Sequence, residues 1–340
     1  MQKATIKDVS ERSGFSITTI SRVLNGNYPV KKETREKIMK AIDELNFSRN
    51  SSARNLRTKK SNLIGLVVAD INNPYYSKIA KKIDDGLFEK GYNLLVCNTD
   101  ESEEKEKRIL STLQDKDVDA IVISPAAKNI ELLRQLTDAG TRIVLIDRNM
   151  GILDIPFVGS DNFSESKILT EYLIQQGHQK IMFVSGTDKA ITAQDRLFGY
   201  KAALEENNLQ FDEKNVVKGY YKQEDAYKNT YTFLTNNLKS DEPCTAIFSS
   251  NNLMTIGIIQ AIHELNLRIP QDISLVSFGQ LDSQEIIEPK VTCIKQNIEQ
   301  LAKSTLEKTI EALDDNKSNI DSNIIRDSLE IGTSVKNLNK

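Results

Sequence analysis

The chain has 340 residues, with 45 Lys and Arg against 48 Asp and Glu and a formal net charge of −3. Hydrophobic residues at 39% and charged residues at 27% exclude a disordered, collagen-like or disulfide-scaffold chain, and the length calls for two or three domains. The total hides an asymmetry: residues 1–60 hold 14 Lys and Arg against 6 Asp and Glu (+8), and the remainder hold 31 against 42 (−11). A basic head on an acidic body is the split expected of a polyanion-binding module.

Cys97, Cys244 and Cys293 lie far apart and form no CxxC. Cys97 and Cys244 sit inside apolar runs that read as strands, and Cys293 begins another. The three read as small core hydrophobes, and the odd count suits a reducing compartment. The N-terminus has no apolar signal region, and no apolar run approaches the ~20 residues of a membrane span. The expectation is a cytoplasmic protein.

In chain order, residues 1–46 read as short helices only. Thr5-Ile6-Lys7-Asp8 has the form of a capping box, opening a helix that runs to about Ser13 and stops at Gly14. Ser16 can cap a second helix, Ile17 to Leu24, which ends before Asn25-Gly26. A third follows Pro29-Val30, from about Lys32 to Leu45, with Ile38, Ala41, Ile42 and Leu45 at helical spacing. Residues 47–61 are polar and basic, hold only Phe47 and Leu56 as large apolar residues, and read as a linker.

From Asn62 strands and helices alternate. Strands are expected at Leu63–Ala69, Tyr92–Cys97, Ala120–Ser124, Ile143–Asp147, Ile181–Ser185, Val216–Gly219, Ala246–Ser249 and Ile273–Phe278. Most are short and wholly apolar, as in parallel sheets covered on both faces. Amphipathic helices fall between them, such as Tyr75–Lys90, Phe163–Gln176, Arg196–Glu206 and Met254–Leu265. This is a doubly wound α/β body long enough for two units, with a crossover between them near Pro156–Asn162.

Thr5–Leu24 can form a helix-turn-helix. Val9, Ile20 and Val23 would hold the angle, and Ile17, Thr18 and Arg22 would project from the second helix toward base edges. Ser16, Thr19, Ser21 and Asn25, with Thr5 at the first cap, are candidate phosphate contacts. Any small helical hairpin could share this pattern, but the +8 head favours nucleic acid.

The run Thr5-Ile6-Lys7-Asp8-Val9-Ser10, then Gly14 to Gly26, resembles the lactose-repressor family headpiece. The likeness continues through Ser52-Ala53-Arg54-Asn55-Leu56-Arg57, similar to that family's hinge helix. It extends over Asp70 to Tyr76, Ile146-Asp147-Arg148, Gly177-His178, Arg196 to Tyr200 and Ile269 to Ser274. The resemblance implies a three-helix headpiece (1–46), a hinge helix (47–61) and a periplasmic-binding-protein-like core (62–340) of two subdomains. The N-subdomain is expected at about 62–160 and 293–320, the C-subdomain at about 161–290 and 321–340. It also implies a homodimer on a pseudo-palindromic DNA operator. Ile17, Thr18 and Arg22 match base-reading positions, Leu56 matches a leucine wedged into the minor groove, and Ala53 matches a neighbouring contact.

Ligands of open parallel sheets bind beyond the carboxyl ends of the strands. Those ends are Asp70–Tyr76, Asn98–Asp100, Ser124, Asp147-Arg148, Asn251-Asn252 and Gly279-Gln280, a polar and aromatic mixture suited to a sugar-sized molecule. By resemblance, Asn73, Tyr75, Tyr76, Asp147, Arg148, Arg196, Asn251 and Gln296 match ligand contacts. The plainer alternatives are that Tyr75-Tyr76 pack beneath their helix and that Asp147-Arg148 form a surface ion pair. Where the family has Asn-Asp and Gly-Phe-Asp-Asp, this chain has Asn251-Asn252 and Ser277-Phe278-Gly279-Gln280. Three acidic positions are lost while Arg148 and Arg196 stay. That points to an anionic effector such as a sugar acid or sugar phosphate, unless other pocket groups compensate.

His178 and His263 are the only histidines and read as structural. There is no metal-ligand spacing, G-x-S-x-G, P-loop or G-x-G-x-x-G, so neither an enzyme nor a cofactor is expected. The reading is a repressor of carbohydrate catabolism controlled by a small sugar-like effector. The alternatives are a catabolite-control regulator governed by a partner protein and a sugar-binding module without DNA function.

Overall fold

The computed structural model describes residues 4–25, 28–47, 60–126, 129–151, 155–282, 284–314 and 321–339. It divides into two compact units, Met1–Ser61 and Asn62–Lys340.

The first unit holds helices α1 (Ile6–Ser13), α2 (Ile17–Asn25) and α3 (Lys32–Glu44). Thr5 and Asp8 form the capping box, with the Thr5 N–H donating to Asp8 Oδ2 at 2.7 Å. Those bonds from Thr5 hold the Asp8 carboxyl below its ordinary range. Gly14 ends α1 in the left-handed region at φ 75°, where a side chain would be strained. Ser16 Oγ accepts from the Thr19 N–H at 3.2 Å and starts α2. Val9, Ile20, Val23, Ile38, Ala41 and Ile42 form one apolar core, and Arg12 ties α1 to Glu44 of α3 at 2.6 Å.

The second unit runs β1 (Leu63–Val68), α4 (Pro74–Glu89), β2 (Asn93–Asn98), α5 (Glu103–Asp115), β3 (Ala120–Ile123), α6 (Ile130–Asp138), β4 (Ile143–Ile146) and β5 (Phe157–Ser160). It continues with α7 (Asn162–Gln175), β6 (Ile181–Ser185), α8 (Ile191–Glu206), β7 (Val216–Lys218), α9 (Gln223–Asn237), β8 (Ala246–Ser249), α10 (Asn252–Glu264) and β9 (Ser274–Phe278). The last elements are β10 (Thr292–Lys295), α11 (Ile298–Ala312), β11 (Asn323–Ile325) and β12 (Ser328–Glu330). Two six-stranded sheets result, ordered β11-β5-β4-β3-β1-β2 and β12-β10-β9-β8-β6-β7. Every pair is parallel except β10–β12. The central strands are buried on both faces, as their unbroken apolar runs require.

Several expectations change in detail. The helix expected from Arg196 begins at Ile191, behind an N-cap residue, Ala190, that has no capping side chain to signal it. Cys244 precedes β8 rather than lying within it. The subdomain joints also move. Residues 293–295 belong to the second sheet, where Cys293 and Ile294 pair with Ser277 and Phe278 of β9. Residues 323–325 belong to the first sheet, where Ile325 pairs with Ser160 and enters that lobe's core. The chain therefore crosses between lobes at 160–162, 295–298 and 325–328.

One carboxyl pair ties all three crossings. Asp327 accepts from the Ser160 hydroxyl at 2.7 Å and from the Asn297 N–H at 2.8 Å, and its own N–H donates to Glu165 Oε1 at 3.1 Å. The two carboxyl groups are buried together, and Glu165 Oε2 has no hydrogen-bond partner, so two full negative charges there would be costly. Burial raises both above the ordinary carboxyl range, and Arg196 opposes that rise. Asp327 has the richer set of donors, so the proton resides on Glu165.

His178 is buried, with Nδ1 against the Thr245 hydroxyl at 2.8 Å and Nε2 against the Lys336 carbonyl at 3.1 Å. A carbonyl can only accept, so Nε2 carries the proton, and burial lowers the pKa of the ring. Among the described residues no helix is long and apolar enough to cross a membrane.

Candidate functional site

Two places in the molecule present chemistry. On α2, Ile20 and Val23 are buried in the headpiece core while Ile17, Thr18 and Arg22 are exposed. Helical geometry sets the two groups on opposite faces, and Ile17 stands 42% exposed, far more than a small core needs. Arg22 lies 4.9 Å from the Tyr28 ring, which steadies the guanidinium. Ser16 and Thr19 are bonded hydroxyl to hydroxyl at 2.9 Å and sit at the start of the same helix. Ser21 is half-buried and Thr5 is exposed. Ala53, Leu56 and the side chain of Asn25 lie outside the described residues.

The second place is a cavity of about 530 Å³ in the larger unit, between the carboxyl ends of the two sheets. Asn73 caps α4 by accepting from the Tyr75 N–H at 3.0 Å, and Pro74 opens the helix. The cap sets two consecutive tyrosines on the first turn. Tyr75 donates to Asp147 Oδ1 at 3.0 Å and Tyr76 to Oδ2 at 2.8 Å, with Ser124 at 3.4 Å from Oδ2. Burial, then the Asp147 charge, raise both phenols well above their ordinary pKa, so they stay donors.

Arg148, only 3% exposed, holds a carboxylate of its own chain. Its Nη2 and Nη1 donate to Glu101 Oε1 and Oε2 at 2.6 and 2.7 Å, and Nη1 also donates to the Pro125 carbonyl at 2.9 Å. Across the cleft, Arg196 is buried by Phe278, 3.7 Å from its ring, and donates to Asn162 Oδ1 at 2.8 Å and the Ser250 carbonyl at 2.5 Å. Tyr221 lies 5.8 Å from Arg148 and bonds Thr192 through its hydroxyl at 3.0 Å. Asn252 Nδ2 donates to Asn73 Oδ1 at 2.9 Å, and Lys78 pairs with Asp282 at 2.5 Å; both bonds join one lobe to the other.

Two family descriptions match this chain. "Bacterial regulatory proteins, lacI family" covers residues 5–50, and "Periplasmic binding proteins and sugar binding domain of LacI family" covers residues 61–333. The chain belongs to the LacI family. Among relatives in it, the HTH-type transcriptional repressor PurR of Histophilus somni is 33% identical over 297 residues, 86% of this chain and 87% of that one. The ribose operon repressor of Halalkalibacterium halodurans is 33% identical over 294 residues, 86% of each chain. In fold, the lac repressor dimer bound to operator and the anti-inducer ONPF superposes with a TM-score of 0.83 at 23% identity, over 98% of this chain and 100% of that one.

Within this LacI-family core, Asn73, Tyr75, Tyr76, Asp147, Arg148, Arg196, Asn251, Asn252 and Gln296 line one cleft. Gln280 does not; it lies beside a smaller cavity with Lys78 and Asp282, because the chain turns away at Gly279. Asn251 spends its Oδ1 capping α10, accepting from the Met254 N–H at 2.8 Å. Gln296 Nε2 is buried without a hydrogen-bond partner. The two tyrosines are core residues of the first lobe and line the cleft at once. Asp147-Arg148 is no surface ion pair; both residues are buried.

The cleft also holds charged groups that the expectation of an anionic effector did not count. Five carboxylates line the cleft, Asp70, Asp100, Glu101, Asp147 and Glu224, against Arg148, Arg196 and Lys222. Sequence reasoning missed Glu101, Thr192, Tyr220, Tyr221 and Lys222. Tyr220 and Tyr221 come just past β7 and directly follow the expected strand Val216–Gly219, so the strand-end rule applied to it would have found them.

Proposed function

We propose that this chain is a DNA-binding transcriptional repressor that acts as a homodimer on a pseudo-palindromic operator. A small polyhydroxyl effector bound between the lobes controls that binding. The observation that carries the reading is the division of α2 into a core face and an exposed Ile17, Thr18 and Arg22 face, within a chain that also holds a polar interlobe cleft. A guanidinium can bond a guanine edge bidentately, and the methyls of Ile17 and Thr18 suit thymine. Hydrogen-bonding groups from both lobes converge on the cleft, so a ligand that bonds both lobes favours one separation of them over another. A hinge helix ordered by operator DNA, with Leu56 as its wedge, would carry that change to the DNA.

A neutral ligand suits the cleft best, since its acids outnumber its bases and Arg148 is already paired. A second reading, an acidic sugar, draws on Arg196, whose two bonds go to neutral carbonyl oxygens. Selection from a randomised duplex library tests the repressor reading. The intact chain should enrich a two-fold symmetric sequence, and a chain lacking residues 1–60 should not. No enrichment by the intact chain refutes it. Calorimetry with neutral sugars and sugar acids then separates the two effector classes.

A further inference from the structure

We propose that Glu101 makes the cleft select neutral over acidic ligands, by occupying as an internal counterion the place on Arg148 that a ligand carboxylate would take. This rests on the reading of the cleft as an effector site and names the charge class it admits.

The pair has the fork-to-fork geometry in which guanidinium and carboxylate bind most specifically. Its distances are 2.6 and 2.7 Å, and the Arg148 side chain is 3% exposed against 16% for Glu101. A buried guanidinium without a counter-charge is costly, so Arg148 must keep one. The backbone also holds Glu101 in place. Asp100 and Glu101 both adopt left-handed conformations, φ 52° and 61°, at the end of β2, and the Glu101 N–H donates to the Ala69 carbonyl at 3.2 Å. A carboxylate that displaced Glu101 would leave it attached to this turn, in a cleft already holding Asp100 and Asp147. An acidic ligand thus meets like charge and must break a charge-assisted pair. A neutral ligand disturbs neither.

The test measures thermal stabilisation of the full-length chain by acetate, glycolate and gluconate at fixed ionic strength, with glucose and ribose as neutral probes. Wild type should show no saturable shift with the carboxylates. Glu101→Gln should gain a saturable carboxylate response, at least about tenfold tighter than wild type, equivalent to about 1.4 kcal/mol. Adding Arg148→Gln should abolish that gain. Saturable carboxylate binding by wild type overturns the proposal, as does a folded Glu101→Gln chain that gains none. If Glu101→Gln does not fold, Glu101→Asp, which keeps the charge with a shorter reach, should show partial gain, and no change overturns the proposal. A wild-type chain that excludes carboxylates but binds no neutral probe, and whose DNA binding responds to none, counts against the effector reading rather than against Glu101.

Discussion

Arg22 is exposed on α2 and placed beside Tyr28 rather than against an acid. A guanidinium so placed could engage DNA without first breaking an ion pair. Arg22→Ala should lower operator affinity by about 1–3 kcal/mol and relax discrimination at one base pair. Gel shifts on the selected operator and its single-base variants check both; equal loss on every sequence would make Arg22 a phosphate contact instead. Asn252 gives a second prediction. Its amide donates to Asn73 Oδ1, which already accepts from the Tyr75 N–H. Asn252→Asp would set oxygen against oxygen, weakening lobe closure by about 1–3 kcal/mol. Small-angle scattering should show a more open core, and an unchanged profile would refute the latch. These residues differ in how readable they were. Ile17, Thr18 and Arg22 follow from helical periodicity, because Ile20 and Val23 fix which face is inside. The Glu101–Arg148 pair follows from no spacing: it depends on two left-handed residues that bend the chain after β2. The sequence reading counted Arg148 as open to an anion for that reason.

The elements that hold the site were legible unevenly: three-residue β7 was expected at Val216–Gly219, whereas four-residue β5 was not expected at all. The apolar runs of β1, β3, β4, β6, β8 and β9 each span four to six residues and announce themselves. The edge strands β11 and β12 have three residues each, too few for a period, and their membership is decided by which neighbour they pair with. Helix α8 is bound closely to α7 at Gly199, where an added Cβ would lie 2.2 Å from the Phe163 carbonyl oxygen. The Ser166 hydroxyl on α7 donates to the Arg196 carbonyl at 2.6 Å in the same contact. Gly199→Ala should therefore destabilise the core by about 1–3 kcal/mol, measured as a lower melting temperature. It should also displace Arg196 and weaken effector binding. A stable variant with altered binding would separate the two effects; no change in either would show that α8 can shift freely.

At the scale of the molecule, charge and proton binding give two further predictions. The head carries +8 and the rest of the chain −11, so the DNA partner should be held through the head's cations. Operator affinity should fall steeply and linearly with salt on a double-logarithmic plot, and a flat response would contradict phosphate contacts. The Glu165–Asp327 pair predicts how stability follows pH. Burial pushes the Glu165 carboxyl up to about 9, so the folded chain keeps a proton that the unfolded chain has released. That contribution to stability is complete below the unfolded value near 4.5 and is lost as pH rises toward 9. Glu165→Gln keeps an uncharged side chain of the same shape and should flatten the slope of melting temperature between these limits; an unchanged slope would assign it to other groups.

The three crossings have a consequence for the order in which the chain is made. Helix α11 covers α4 and the first sheet, yet it follows β10 of the second sheet. Strand β12 completes the second sheet, yet it follows β11 of the first. Neither lobe is finished when its first strands leave the ribosome, and each waits on the other's segments. A nascent chain that stops between residues 185 and 323 carries two incomplete sheets, so both lobes reach their native sheet order only after residue 330 has been added.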